Sequence, residues 1–176
     1  MKDEVILVDK DDNQLGIMEK IEAHEKALLH RAFSVFIFNS KGEMLLQRRA
    51  LHKYHSPGLW TNACCSHPKP KESTIDAANR RLIEEMNMEA KLDYLFKFTY
   101  RTDFDNGLTE HEIDHVFKGI TDIQPIPNPE EVDSFKYMSI KDLKNDITEN
   151  PNNYTSWFKI CLKKVLSYFE LKETIQ

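Results

Sequence analysis

Between Ser66 and Met88 the chain reads SHPKPKESTIDAANRRLIEEMNM, and no other stretch narrows its fold as much. Pro68 and Pro70 keep the first part out of any regular helix. From Ser73 onward Ile75, Ala78, Leu82 and Met86 recur at helical spacing, which predicts a helix over 73–88 with one buried face. Arg80, Arg81, Glu84 and Glu85 gather in the second half of that same stretch. A helix with one apolar stripe must lie on something, and the flanking sequence is rich in strand formers.

VILVD reads as a short strand with DDNQLG as its turn. AFSVFIFN is aromatic and β-branched, and SKGE turns it into MLLQRRA, which predicts a hairpin. The next stretch is mostly loop, with a brief strand over 60–64. Strands are expected over 92–102 and 110–120, joined at Asp105-Asn106-Gly107, and again along VDSFKYMSI. Ser139 with Asp142 caps a short helix, and Trp157, Ile160, Cys161, Val165 and Tyr168 mark a last helix over 154–171. Strands and helices mix without regular βαβ alternation. That predicts an α+β chain, a mixed-sheet sandwich flanked by helices, with 1–176 as a single domain.

The 24 basic and 29 acidic side chains leave a net charge of −5, which disfavours general binding to nucleic acid or acidic membranes. A small anion in a local basic pocket remains compatible with it. The N-terminal apolar run, Val5 to Val8, is too short for a signal-peptide core, and no stretch approaches the roughly 18 apolar residues of a membrane span. Three cysteines, two of them adjacent, make no disulfide framework, and a reducing, cytoplasmic setting is expected.

Three groups of residues carry potential chemistry. TNACCSHP puts the Cys65 thiol two residues from the His67 imidazole, on one side of an extended backbone. The pair could be a nucleophile with its base, two metal ligands, or a thiol beside a separately coordinated imidazole. Glu110 and Glu112 share one face of a strand, where two carboxylates repel unless a cation or a proton intervenes. With His24, His30 and His67 they would form a nitrogen and oxygen site suited to Mn²⁺, Mg²⁺ or a Zn²⁺ of high coordination number.

The 66–88 segment resembles the Nudix box, G-x5-E-x7-R-E-U-x-E-E-x-G-U, where U is bulky and aliphatic. Glu72, Arg80, Leu82, Glu84 and Glu85 match, and Met88 fits the last position. Ser66, Arg81 and Asn87 depart from it. Such a loop–helix–loop presents carboxylates to a divalent cation on a diphosphate. Arg81 in place of a metal-binding Glu suits holding a diphosphate better than cleaving one.

TNACCSHP, the altered box and EHE together resemble the type 1 isopentenyl-diphosphate isomerase family, nearly end to end. The resemblance implies a Nudix-type fold and transposition of the double bond of isopentenyl diphosphate to give dimethylallyl diphosphate, for isoprenoid biosynthesis. It makes Cys65 the essential thiol and Glu112 its opposite number across the substrate, with Tyr100 assisting Glu112. It gives His24, His30, His67, Glu110 and Glu112 to one divalent metal, and Glu85 with the Cys65 carbonyl to a substrate-bound Mg²⁺. It assigns the diphosphate to Lys20, Arg49, Lys53 and Arg81, and cation stabilisation to Trp157. A monomer acting on a small diphosphate, without nucleic acid or membrane partners, is the expected form. A Nudix phosphohydrolase and a non-catalytic metal- or nucleotide-binding module are the competing readings.

Overall fold

His30–Phe38 (β3) is the strand that sets the layers. Its alternation sends Phe33, Val35 and Ile37 into one apolar cluster and Phe36 and Phe38 into another. The computed structural model describes residues 3–53 and 55–175, with side chains as far as Leu171. Ahead of β3 come Glu4–Val8 (β1), Gln14–Glu19 (β2) and the short helix Lys20–Glu25 (α1). After it come Met44–Arg49 (β4), Trp60–Thr61 (β5), Cys64–Ser66 (β6) and the helix Thr74–Met86 (α2). Leu92–Asp103 (β7), Thr109–Ile120 (β8) and Val132–Met138 (β9) precede the helices Ile140–Glu149 (α3) and Ser156–Ile175 (α4).

The strands form one mixed sheet. β8 runs parallel to β3 along its whole length, from His30↔Glu112 to Phe38↔Ile120, and β7 pairs antiparallel with β8. β1, β6 and β4 also pair with β3, each over a short stretch, and β4 carries β5 and β9. On one face Ala77, Ala78, Leu82 and Met86 of α2 cover Phe33, Val35, Ile37 and Leu45. On the other, Leu143 of α3 and Phe158, Cys161, Leu162 and Val165 of α4 cover Phe36, Met44, Leu46 and Val116. This is the α+β architecture, a mixed sheet between helices, that the sequence pattern leads one to expect.

Local chemistry explains most boundaries. Ser73 caps α2 by accepting from the Asp76 N–H at 3.2 Å, and Ser139 caps α3 through Asp142 in the same way. Asn87 ends α2 in the left-handed region, at φ +49°. The box position normally held by glycine therefore keeps its conformation, since Asn tolerates αL better than most side chains.

Three features depart from the sequence reading. The turn after β1 closes at Asn13, so β2 begins inside the stretch assigned to that turn. Its apolar Leu15 and Ile17 face solvent, which hides the strand from a burial pattern. α1 is too short to show periodicity and depends on Glu19, whose carboxylate accepts from the Glu22 N–H at 2.9 Å. The strand expected over 60–64 is split into β5 and β6, because Asn62 donates its amide N–H groups to the Val35 and Cys64 carbonyls in place of ladder bonds.

Candidate active site

The parallel β3–β8 register sets His30 beside Glu112, and the β7–β8 register sets Tyr100 on the other side of Glu112. His30, Glu112 and Tyr100 therefore form one row across three strands. The Tyr100 hydroxyl donates to Glu112 Oε2 at 2.6 Å and lies 3.0 Å from Glu110 Oε2. A phenol has a single proton to give. Burial and the charge of Glu112 push the Glu110 carboxyl well above the usual range. Burial works against the charge of Glu112, but His30 and His67 at its oxygens hold it well below the carboxylate range. Tyr100 thus links the two carboxyl groups.

The three imidazoles gather on the far side of Glu112. Ring centroids are 4.8 Å apart for His24 and His30, 5.0 Å for His30 and His67, and 5.6 Å for His24 and His67. His67 Nε2 is 2.9 Å and His30 Nε2 3.4 Å from Glu112 Oε1. His24 Nδ1 donates to the Lys20 carbonyl at 2.6 Å and His30 Nδ1 to the Leu28 carbonyl at 2.8 Å, which fixes the orientation of each ring. One ligand atom from each of His24, His30, His67 and Glu112 lies within 4.8 Å of all the others. Burial lowers the His24 imidazole and brings His67 down to about 4, so both are neutral donors near pH 7. His30 Nε2 is buried with no hydrogen-bond partner. Three imidazoles and one carboxylate aimed at one point fit a divalent metal. Glu110 stands outside this group of four and joins it through Tyr100.

One cavity of about 90 Å³, space for several waters or a short hydrocarbon, joins these residues to the rest. Cys65 and Trp157 line it together with Tyr100, Glu110 and Glu112. β6 and β8 pair on different sides of β3, so the thiol and the carboxylate enter from opposite flanks of that strand. Burial raises the Cys65 thiol to about 12, which keeps it protonated. Arg49 lies over the Trp157 indole, 5.2 Å from its centroid, so this ring already faces one cation.

Lys20, Arg49, Lys53 and Arg81 all reach the same cavity. Arg81 pairs with Glu85 at 2.7 Å, and Gln47 donates to the other Glu85 oxygen at 2.8 Å. Arg80 instead clasps Glu72 and Glu84 on the outer side of the box helix. One of the two Arg–Glu pairs of the box is thus structural, and the other belongs to the cavity. The sequence-derived site residues converge, with His30 buried among the imidazoles.

His55 and Glu131 also line the cavity, and neither was singled out from the sequence. His55 stacks on Phe104 with centroids 5.2 Å apart and meets Trp157 edge-on at 5.5 Å. Both residues sit in connectors without periodicity, so only the fold reveals them.

Comparisons with known proteins bear on the family and the fold. A family model of the NUDIX domain matches residues 28–158, so Lys20 and His24 lie ahead of the matched stretch. Isopentenyl-diphosphate Delta-isomerase 2 of Aromatoleum aromaticum is 50% identical, over 95% of this chain and 88% of its own length. Isopentenyl-diphosphate Delta-isomerase of Pectobacterium atrosepticum is also 50% identical, over 95% of this chain and 93% of its own length. Among solved structures, DR0079 from Deinococcus radiodurans shares the fold with a TM-score of 0.75 at 19% identity, covering 92% of this chain and 98% of that one.

Proposed function

The chain belongs to the isopentenyl-diphosphate Delta-isomerase family, built on a NUDIX domain, and we propose that it works through Cys65 and Glu112 on two sides of one substrate cavity. It is an isomerase that converts isopentenyl diphosphate to dimethylallyl diphosphate, within isoprenoid biosynthesis. A proton added to the terminal carbon of the olefin leaves a tertiary cation, and loss of a proton from C2 restores a double bond in the new place. One proton enters and one leaves, so no oxidant or reductant is needed.

The observation that carries the mechanism is that Cys65, Glu112, Trp157 and four cations share one cavity. A high thiol pKa supplies a neutral S–H on one side. On the other, the Tyr100 hydroxyl connects Glu112 to Glu110, so a proton can be handed along the row. Trp157 offers its π face to the tertiary cation, an effect of about 2 kcal/mol or more when desolvated. Water must be kept from that cation, which it would otherwise capture as an alcohol.

His24, His30, His67 and Glu112, with Glu110 at the edge, would hold Mn²⁺, Zn²⁺ or Mg²⁺, and Glu85 with the Cys65 carbonyl a substrate-bound Mg²⁺; such ions supply fixed positive charge beside the reacting carboxyl and the diphosphate. Lys20, Arg49, Lys53 and Arg81 orient the diphosphate. Arg81 takes the box position where a hydrolase would place a carboxylate, and its pairing with Glu85 supports holding a diphosphate without cleaving it. No helix among the described residues is long and apolar enough to cross a membrane. The three free thiols fit a reducing cytoplasm, and the chain acts on its small substrate as a monomer.

The test is incubation with Mg²⁺ and isopentenyl diphosphate in D₂O. Dimethylallyl diphosphate carrying deuterium on its new methyl group is the expected product. Phosphate release without allylic product would reinstate the hydrolase. Metal binding without any isotope exchange would leave a binding module.

A further inference from the structure

The diphosphate cradle already contains an anion of its own. Glu131, at the entry to β9, points its carboxylate into the cavity. It forms an ion pair with Lys53 and lies 3.3 Å from the Arg81 guanidinium. These are two of the four cations to which the proposed function gives the diphosphate, and the present inference rests on that reading. The carboxylate is not required to hold the backbone there. The Glu131 N–H donates to the Asn128 carbonyl at 2.9 Å, and its carbonyl accepts from the Ala50 N–H at 3.0 Å, whatever the side chain. Nor does Glu131 serve Glu85, whose oxygens are met by Arg81 and Gln47.

A carboxylate on two cations and a diphosphate on the same two cations exclude each other electrostatically at this range. We propose that Glu131 is the resident counter-anion of the cradle: Lys53 and Arg81 turn from it to the diphosphate on binding, and its return to them promotes release. The role is physically reasonable because substrate and product carry the same diphosphate. Binding it too tightly would lower KM while slowing product departure, without helping the chemical step. A resident carboxylate lowers the positive charge of the empty cradle and limits that affinity.

The experiment is calorimetric titration of the full-length wild-type protein and of Glu131→Gln with inorganic diphosphate, at fixed Mg²⁺ and ionic strength. Glu131→Gln should bind diphosphate about 3–10-fold more tightly, the effect of removing one nearby, partly solvated negative charge. Equal or weaker binding by a folded Glu131→Gln overturns the proposal and makes Glu131 an organiser of the cations instead. A crystal structure of the wild type with Mg²⁺ and diphosphate tests it without any substitution. Lys53 Nζ is expected on a diphosphate oxygen, and an intact Lys53–Glu131 pair beside bound diphosphate overturns it. Failure of the wild type to bind diphosphate at all would remove the cradle itself, an outcome distinct from equal binding by the two proteins.

Discussion

Cys64 and Cys65 are neighbours in the chain and face opposite sides of the sheet. Cys64 is wholly buried against α2, with its sulfur 3.5 Å from Glu85 Oε1, and Cys65 opens into the cavity. Cys65→Ala should therefore lower kcat by about 10²–10⁴-fold, the usual worth of a positioned acid or base. Cys64→Ala and Cys161→Ala remove buried sulfurs outside the reacting pair, and Glu85 keeps Arg81 and Gln47, so kcat should stay within a few-fold of wild type. Steady-state kinetics on the three variants, with circular dichroism to confirm folding, checks this. Equal losses in all three would reduce Cys65 to a packing residue.

Tyr100 joins the two carboxyl groups, so Tyr100→Phe should break the relay and keep the shape. Hydrogen bonds to charged groups contribute about 1.5–3 kcal/mol, which corresponds to a loss of roughly 10–100-fold in kcat. Metal content, measured by elemental analysis, should not change, because the clustered donors His24, His30, His67 and Glu112 all remain. A Tyr100→Phe enzyme with wild-type kcat would take the phenol out of the proton path.

The imidazole cluster predicts a chelation phenotype. Metal-free protein should lose activity, and adding Mn²⁺ or Zn²⁺ should raise the unfolding temperature. A ligand at 100 times its Kd stabilises the native state by about 2.7 kcal/mol. His67→Ala should abolish that thermal shift, since His67 is one of the four convergent donors. A shift that persists in His67→Ala would move the metal elsewhere.

His55 makes stability depend on pH. Burial first, then the charges of Arg49 and Lys20, bring its imidazole from about 6.5 down to about 3. Between those values the unfolded chain takes up a proton that the folded protein refuses, so stability falls as pH drops through this window. His55→Phe keeps an aromatic ring and removes that titration. Between pH 7.5 and 5 the wild type should lose about 2 kcal/mol more than His55→Phe in urea denaturation. Parallel losses in the two proteins would mean that His55 is charged in the folded state.

Much of this protein is local information. The helix over 74–86 follows from Ile75, Ala78, Leu82 and Met86 together with the Ser73 cap, because periodicity and capping act within a few residues. The two long strands around Asn106-Gly107 were also legible, with Gly107 at φ +82° as the turn demands. The motif residues Cys65, His67, Glu110 and Glu112 could be named because each group lies within a short run. β2 and α1 could not, since one turns its apolar side chains outward and the other is a single short helix.

What only the tertiary structure decided is which of those groups meet. His30 and Glu112 are joined by a parallel strand pair, whose register depends on packing between segments some 80 residues apart in the chain and leaves no periodic trace in either. The β7–β8 register fixes Tyr100 against Glu112, and the connector before β9, held on α2 through Asn128, brings Glu131 to the Arg81 that also pairs with Glu85. Spacing along the chain specifies the reactive groups, because side-chain direction is a local property. Their pairing, their burial and hence their protonation belong to the folded sheet, because each depends on neighbours that the chain brings together only on folding.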